Sequence, residues 1–254
     1  MNLPSSPSFS LKNKRALVVG ASSGIGLACA VALAEFGASV TIAARRLEKL
    51  TDLFNLMTKK GLIVETLELD VSKTKETKKI IGELEPYDIL VNSAGIAKHS
   101  LTIDSNETDF DDVMQINLKG AYFLTSAVAK RLISFGKPGS LINISSQMGL
   151  VGGQERSVYS ASKHAVEGFT KSMAIELGTS NVRVNTICPT FILTDLTRTT
   201  FEDPKKRAWI ENKIKLGRVG EVEDIMGAVV FLASDASALI TGTALVIDGG
   251  WTAG

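Results

Sequence analysis

The stretch between Arg15 and Gly37 constrains the fold more than any other. Arg15-Ala-Leu-Val-Val19 is a short apolar run, the pattern of a buried strand. It ends at Gly20-Ala-Ser-Ser-Gly24-Ile-Gly26, and Leu27 to Phe36 continue as an apolar helical pattern that Gly37 closes. Strand, glycine-rich turn and helix in that order form a phosphate-binding unit. The glycines permit a tight turn and a close backbone approach, while the first N–H groups of the helix have no partners and lie at its positive dipole end. The spacing is Gly-x-x-x-Gly-x-Gly, not the commoner Gly-x-Gly-x-x-Gly. The alternative is a glycine turn without a ligand, and the flanking strand and helix weigh against it. Gly20, Ser22, Ser23, Gly24, Ile25 and Gly26 are the residues this turn is expected to place against a nucleotide.

Six further runs read as strands: Ala38–Ala44, Glu65–Val71, Tyr87–Asn92, Leu141–Ser146, Val182–Ile187 and Ala244–Asp248. Helical patterns separate them, among them Phe110–Asn117, Ala121–Phe135, a stretch that Ser157 could cap and Gly178 stop, and Glu223–Ser234. Strands alternating with helices imply parallel pairing with right-handed crossovers. The expected fold is α/β, a Rossmann-type doubly wound parallel sheet of about seven strands with helices on both faces. At 254 residues the chain is long for one domain, but open α/β sheets reach this size undivided. Its 44% hydrophobic content is enough to cover such a sheet. Residues 11–254 are therefore expected to form one domain. Residues 1–10, with their Ser and Pro, are expected to be a flexible tail. The mixed segment from about 190 to 215 reads as a lid.

A dinucleotide-binding unit selects its cofactor about 20 residues past the glycines, where an acid accepts the ribose 2′-hydroxyl of NAD and an arginine accommodates the 2′-phosphate of NADP. Here Ala44 is followed by Arg45 and Arg46, and no acid occurs until Glu48. A guanidinium binds phosphate through paired hydrogen bonds. NADP(H) is the favoured cofactor, with NAD(H) the alternative. A net charge of +1 gives no electrostatic reason to expect nucleic acid or an acidic membrane. No apolar run approaches the roughly 18 residues of a membrane span, and the first ten residues lack a secretory pattern. Cys29 and Cys188 cannot make a disulfide framework. A cytoplasmic protein is the expectation. With two histidines in the chain, no metal site is expected.

Tyr159-Ser-Ala-Ser-Lys163 places a tyrosine and a lysine on the same face of the helix. A nearby ammonium favours the phenolate and should lower a phenol pKa ordinarily near 10, which suits a general acid or base. The spacing alone occurs by chance on many solvated helices.

In concert with the other motifs the pair carries a likeness. Gly20-Ala-Ser-Ser-Gly-Ile-Gly26, Asp70-Val71, Asn92-Ser-Ala-Gly95, Asn117, Ile144-Ser-Ser146, Tyr159-Ser-Ala-Ser-Lys163, Asn185–Pro189, Ile240-Thr-Gly and Asp248-Gly-Gly-Trp251 occur in this order. The chain resembles the short form of the short-chain dehydrogenase/reductase family over essentially its whole length. The resemblance implies a catalytic tetrad of Asn117, Ser146, Tyr159 and Lys163, with Ser146 chosen over Ser145 because it stands 13 positions before the tyrosine. It implies that Asp70 and Val71 meet the adenine, that Asn92, Ser93, Ala94 and Gly95 line the nucleotide cleft, and that Lys163 also bonds the nicotinamide ribose. Asn117 would hold a water beside Lys163. Ile187 and the Pro189 region would flank the nicotinamide, and the expected cofactor wall extends over Thr190, Ile192 and Thr194. Three positions depart from the family pattern: Val19 for a threonine, Ser93 for an asparagine and Thr190 for a glycine. None touches the tetrad.

The implied reaction is hydride transfer between NADP(H) and a carbonyl, by a carbonyl reductase or alcohol dehydrogenase working as a homotetramer with α-helical and C-terminal contacts. Its substrate would be a small ketone or secondary alcohol, a sugar-derived keto acid, a polyol or a 3-oxoacyl thioester. Ser146, Met148, Gln154, Tyr159, Phe191 and Trp209 are the expected substrate contacts. Gln154, Glu155 and Arg156 would address a polar substrate or sit in solvent, and His99 would either reach the pocket or, the preferred reading, sit in a surface loop. The competing readings are a non-catalytic nucleotide-binding sensor, against which the complete tetrad argues, and a nucleotide-sugar epimerase or dehydratase, which would need a longer C-terminal region.

Overall fold

Among residues 2–254, which the computed structural model describes, seven strands form one sheet. They are β1 (Arg15–Val19), β2 (Ser39–Ala44), β3 (Val64–Glu68), β4 (Ile89–Asn92), β5 (Gly139–Ile144), β6 (Val182–Pro189) and β7 (Ala244–Ile247). All pair parallel, in the order β3-β2-β1-β4-β5-β6-β7. The helices are α1 (Gly24–Glu35), α2 (Leu47–Lys59), α3 (Thr74–Glu83), α4 (Glu107–Val113), α5 (Ala121–Ser134), α6 (Ser157–Leu177), α7 (Arg198–Phe201), α8 (Pro204–Lys213) and α9 (Glu223–Ala233).

The unbroken apolar runs are explained by burial on both faces. In β1, Ala16 and Val18 join a core with Leu33 of α1, Leu50 of α2 and Val229 of α9. Leu17 and Val19 point the other way, into a core with Ile81 of α3, Leu124 and Leu132 of α5 and Met173 of α6. Each such large side chain, fully removed from water, stabilises the fold by about 1.5–3 kcal/mol. Because the strand order reverses between β1 and β4, the connections leave on opposite faces and a crevice opens at the strands' carboxyl ends. Two motif residues serve this frame: Asn185 donates to Ile240 O at 2.9 Å and accepts from Thr243 N at 3.1 Å, and Thr241 Oγ1 accepts from Val184 N at 3.1 Å.

Several boundaries differ from the sequence expectations. β3 stops at Glu68, so Asp70 and Val71 lie past the strand, where the backbone is free to turn. The pattern over Phe110–Asn117 is split between α4 and a π-helical turn, Met114–Gly120, that runs into α5; Asn106 caps α4, accepting from Asp109 N at 2.8 Å. Ser157 is the first residue of α6, not a side-chain cap. Gly178 does not end the turn by a left-handed conformation; a 3₁₀ turn continues to Asn181 (φ 56), one of the few residue types that tolerates that region. Residues 2–10 have no regular structure and are exposed, yet the Phe9 ring lies 6.4 Å from that of Phe231 on α9. Met1, part of the expected tail, lies outside the described residues. Among the described residues no helix is long and apolar enough to cross a membrane.

Candidate active site

A cleft of about 480 Å³ opens where β1, β4 and β5 end. Gly20, Ser22, Ser23, Gly24 and Ile25 form one wall. Gly20 has φ 81, and a Cβ there would stand 2.7 Å from Ala94 N; both facts exclude a side chain. Gly24 (φ 55) faces Thr194, whose Cγ2 would be 3.2 Å from an added Cβ. Ser23 occupies the N-cap of α1, but its hydroxyl makes no capping bond. The first N–H groups of a 12-residue helix are left without a side-chain acceptor, which suits a phosphate.

Arg45, Arg46, Asp70, Val71, Ser93, Ala94 and Gly95 continue the cleft, and Tyr159, Lys163 and Thr194 close it. Arg45 and Arg46 are exposed at the end of β2. Asp70 Oδ1 accepts from Ser72 N and Oγ at 2.9 and 2.7 Å, fixing the carboxylate. Four expected cofactor contacts lie behind this wall instead of on it. Gly26 packs against the turn, where a Cβ would be 2.2 Å from Gly20 O. Asn92 donates to Asn143 Oδ1 at 3.1 Å across the β4–β5 pair. Pro189 is buried in β6, and Ile192 in the α1–α9 core. Thr190 lines the neighbouring cavity.

Ser146 follows β5 and caps a 3₁₀ turn, its Oγ accepting from Met148 N at 3.1 Å. Tyr159 and Lys163 stand one turn apart at the start of α6, with Lys163 Nζ 5.7 Å from the tyrosine ring centre and donating to Ile144 O at 2.9 Å. Burial pulls Lys163 down to about 8, with Cys188 and Glu167 opposing. Burial also pushes the Tyr159 phenol above its ordinary value; Ser146 and the charge of Arg156 pull the other way. The lowered phenol pKa expected from Lys163 is therefore corrected: the ammonium is turned to Ile144, and desolvation wins. Asn117, in the π turn, spends its carboxamide on Ile96 N (2.9 Å), Ile96 O (2.8 Å) and Ser162 Oγ (3.2 Å). Both amide hydrogens are thereby used, and its oxygen keeps one acceptor position. A group unmarked in the sequence pattern sits one turn beyond Lys163: buried Glu167 accepts from Thr186 Oγ1 at 2.9 Å and from Cys188 Sγ at 3.3 Å.

A second cavity of about 90 Å³ adjoins the first, lined by Ser146, Met148, Tyr159 and Phe191 as expected, and also by Ala97, His99, Gln147, Arg156, Thr190, Leu196, Thr197 and Thr200. Tyr159 and Leu196 line both spaces. His99 is an exposed residue of the loop after β4, as expected, and it also reaches this cavity; partial burial, then the Arg156 charge, pulls it down to about 4. Gln154 is exposed and off the wall, while Arg156 beside it is on the wall. Trp209 stands edge-on to Trp251, with ring centres 5.6 Å apart. It belongs to the outer face of α8, not to the cavity. The segment expected as a lid folds into α7 and α8 over a small core of Phe201, Ile210, Ile214 and Val219 with Phe191 and Trp251. Its inner loop brings Thr194, Asp195 and Leu196 to the cleft. Glu167 was missed because its only signal is three-dimensional: a polar side chain enclosed in the fold.

A family model described as enoyl-(acyl carrier protein) reductase matches residues 20–252. D-erythrulose reductase of Gallus gallus is 37% identical over 249 residues, covering 96% of this chain and 98% of that protein. 2-Dehydro-3-deoxy-D-gluconate 5-dehydrogenase of Bacillus subtilis is 39% identical over 246 residues, covering 96% of each. The crystal structure of a gluconate 5-dehydrogenase from Burkholderia cenocepacia J2315, in complex with NADP and tartrate, superposes with a TM-score of 0.94 at 33% identity, covering 97% of this chain and 98% of that one.

Proposed function

The chain belongs to the short-chain dehydrogenase/reductase family and is an oxidoreductase acting on CH–OH groups; we propose that it interconverts the ketone and secondary alcohol of a small polyhydroxylated substrate, with NADP(H) as cofactor. The observation that carries this reading is the position of Tyr159 on the wall shared by the cleft and the smaller cavity. Relatives named as reductases or dehydrogenases of erythrulose and of gluconate derivatives support the polyhydroxylated substrate. The Burkholderia structure, which holds NADP and the dihydroxy diacid tartrate, supports both halves.

The cleft fits a dinucleotide: a glycine turn that tolerates no Cβ, an uncapped helix N-terminus for the pyrophosphate, and two exposed arginines at the ribose end. When bound, the nicotinamide supplies or accepts the hydride. Tyr159 donates its proton to the substrate oxygen as negative charge develops there, and the Ser146 hydroxyl offers that oxygen a hydrogen bond. A phenol held above its ordinary pKa keeps this proton at neutral pH, the form that ketone reduction requires. Lys163 supplies the positive charge beneath the tyrosine while its ammonium stays protonated. Asn117 fixes the Gly95–Ile96 backbone that walls Lys163 in.

The remaining assignments follow from the same membership. A homotetramer is inferred, with α9 and the Gly249-Gly250-Trp251 end at subunit contacts; the fully exposed Leu239 between them supports such a surface. Two free thiols, Cys29 and Cys188, support a cytoplasmic protein. The deciding experiment follows NADPH absorbance with ketoses, keto sugar acids and a 3-oxoacyl thioester. Turnover of a polyhydroxylated ketone in preference to the thioester supports the proposal. Turnover of the thioester alone, or cofactor binding with no turnover, contradicts it.

A further inference from the structure

We infer that Arg156 is a carboxylate-binding residue of the substrate cavity, so that the polyhydroxylated substrate is a keto acid and its alcohol, not a neutral ketose. The inference rests on the proposed function and selects between two chemical classes that function allows.

The cavity wall holds one fixed positive charge and no carboxylate: Arg156 is accompanied by His99, Gln147, Thr190, Thr197 and Thr200 among its polar residues. The Arg156 guanidinium is partly buried. Among the described residues it makes no ion pair and no side-chain hydrogen bond, whereas Arg198, Arg207 and Arg218 each bond an acid. Glu155, its neighbour in sequence, is exposed, has φ 58 and does not pair with it. A guanidinium carries five donors in a planar fork that matches a carboxylate. Partly withdrawn from water with no acceptor, it lacks only such an anion.

Two neutral neighbours are unpaired in the same way. The Gln147 amide is buried, and neither its Nε2 nor its Oε1 has a hydrogen-bond partner; the Thr190 hydroxyl is likewise unpartnered. Buried polar groups without partners are rare, and each costs about 1–3 kcal/mol. Around one cavity they offer both donors and acceptors, which is what successive hydroxyl groups require. Thr190, where the family pattern has glycine, is one of these. Ser146 and Tyr159 on the same wall place the reacting carbonyl, so Arg156 would read the far end of a substrate whose intervening carbons bear hydroxyls.

The test measures kcat/KM with NADPH for a keto sugar acid, 5-keto-D-gluconate, and a neutral ketose of the same length, D-fructose, with a simple diketone as a control for reductase activity. In the wild-type protein the acid-to-neutral ratio should exceed about ten, the value of one charged hydrogen bond. In Arg156→Gln the ratio should fall at least tenfold, mainly through KM for the acid, and Arg156→Lys should retain an intermediate ratio. A wild-type ratio near or below one overturns the inference, whether or not the variants fold, and so does a ratio that survives Arg156→Gln. If neither sugar compound is turned over while the diketone is reduced, the polyhydroxylated-substrate reading itself falls, and the assignment of Arg156 with it.

Discussion

Asn117 holds the backbone of Ile96 at both polar atoms, accepting from its N–H at 2.9 Å and donating to its carbonyl at 2.8 Å. Its amide also donates to Ser162 Oγ, which in turn donates to Tyr159 O at 2.7 Å. One side chain thus joins the loop after β4 to the helical turn that carries Tyr159 and Lys163.

Replacing Asn117 by Leu strands the N–H and carbonyl of Ile96. Each unsatisfied buried group costs about 1–3 kcal/mol, so Asn117→Leu should lower the thermal midpoint by several degrees. The bound cofactor should recover only part of the loss, since Gly95 and Ile96 line its cleft. Thermal denaturation with and without NADPH checks this. A midpoint equal to the wild type in both conditions would show that the contact has no energetic role.

Two glycines of similar backbone conformation separate strain from collision. Gly20 (φ 81) would place a Cβ against Ala94 N, while Gly61 (φ 77) has nothing within 4 Å. Gly61→Ala should cost about 1 kcal/mol from strain alone. Gly20→Ala should cost more and weaken NADPH binding. Chemical denaturation and cofactor fluorescence titration measure the two effects, and equal costs at the two sites would contradict the close approach.

Arg45 and Arg46 are exposed and line the cleft, and the proposed cofactor NADP(H) would set its 2′-phosphate against them. Losing a charge-assisted hydrogen bond to phosphate should raise the NADPH Kd about tenfold to a hundredfold in Arg45→Ala/Arg46→Ala, and leave the NADH Kd nearly unaltered. Parallel titrations report the ratio. The effect should shrink as salt is added, since both groups are exposed.

The two titrating groups predict a pH profile. The Lys163 ammonium, held down to about 8, is charged below that pH and lost as pH rises through it, while the Tyr159 phenol, held above its ordinary value, keeps its proton. kcat/KM for ketone reduction should therefore fall above about pH 8, approaching tenfold per unit. Lys163→Met should abolish turnover and, by removing a buried charge, stabilise the fold at neutral pH by about 1–3 kcal/mol. Denaturation midpoints beside activity assays test both halves.

The sheet was legible because a doubly covered parallel strand must be largely apolar, as residues 16–19 of β1 and 89–91 of β4 are, while the edge strand β3 with its Glu65 and Glu68 was marked only by its place in the alternation. The glycine turn was legible because Gly20 combines a left-handed backbone with a close approach to the Ser93–Ala94 backbone that leaves no room for a Cβ. What stayed hidden depends on orientation. Lys163 shares a helix face with Tyr159, but the carbonyl of Ile144, 19 residues away, decides where its ammonium points. Glu167 falls among charged positions of a helix pattern, and its burial becomes visible only once β6 supplies Thr186 and Cys188. Gln154 and Arg156 are two residues apart, yet one enters the cavity wall and the other faces solvent, because the left-handed residue between them turns the chain.

The account turns on the Tyr159 proton. NADPH oxidation in the presence of a polyhydroxylated ketone, read from nicotinamide absorbance for the wild type and Tyr159→Phe, tests it most directly. The substitution removes one hydroxyl and leaves the ring in place. The predicted result is intact NADPH binding with kcat reduced at least a hundredfold, the contribution of a positioned general acid. A Tyr159→Phe protein that reduces the ketone at a rate close to the wild type would contradict the assignment of the acid, and with it the mechanism.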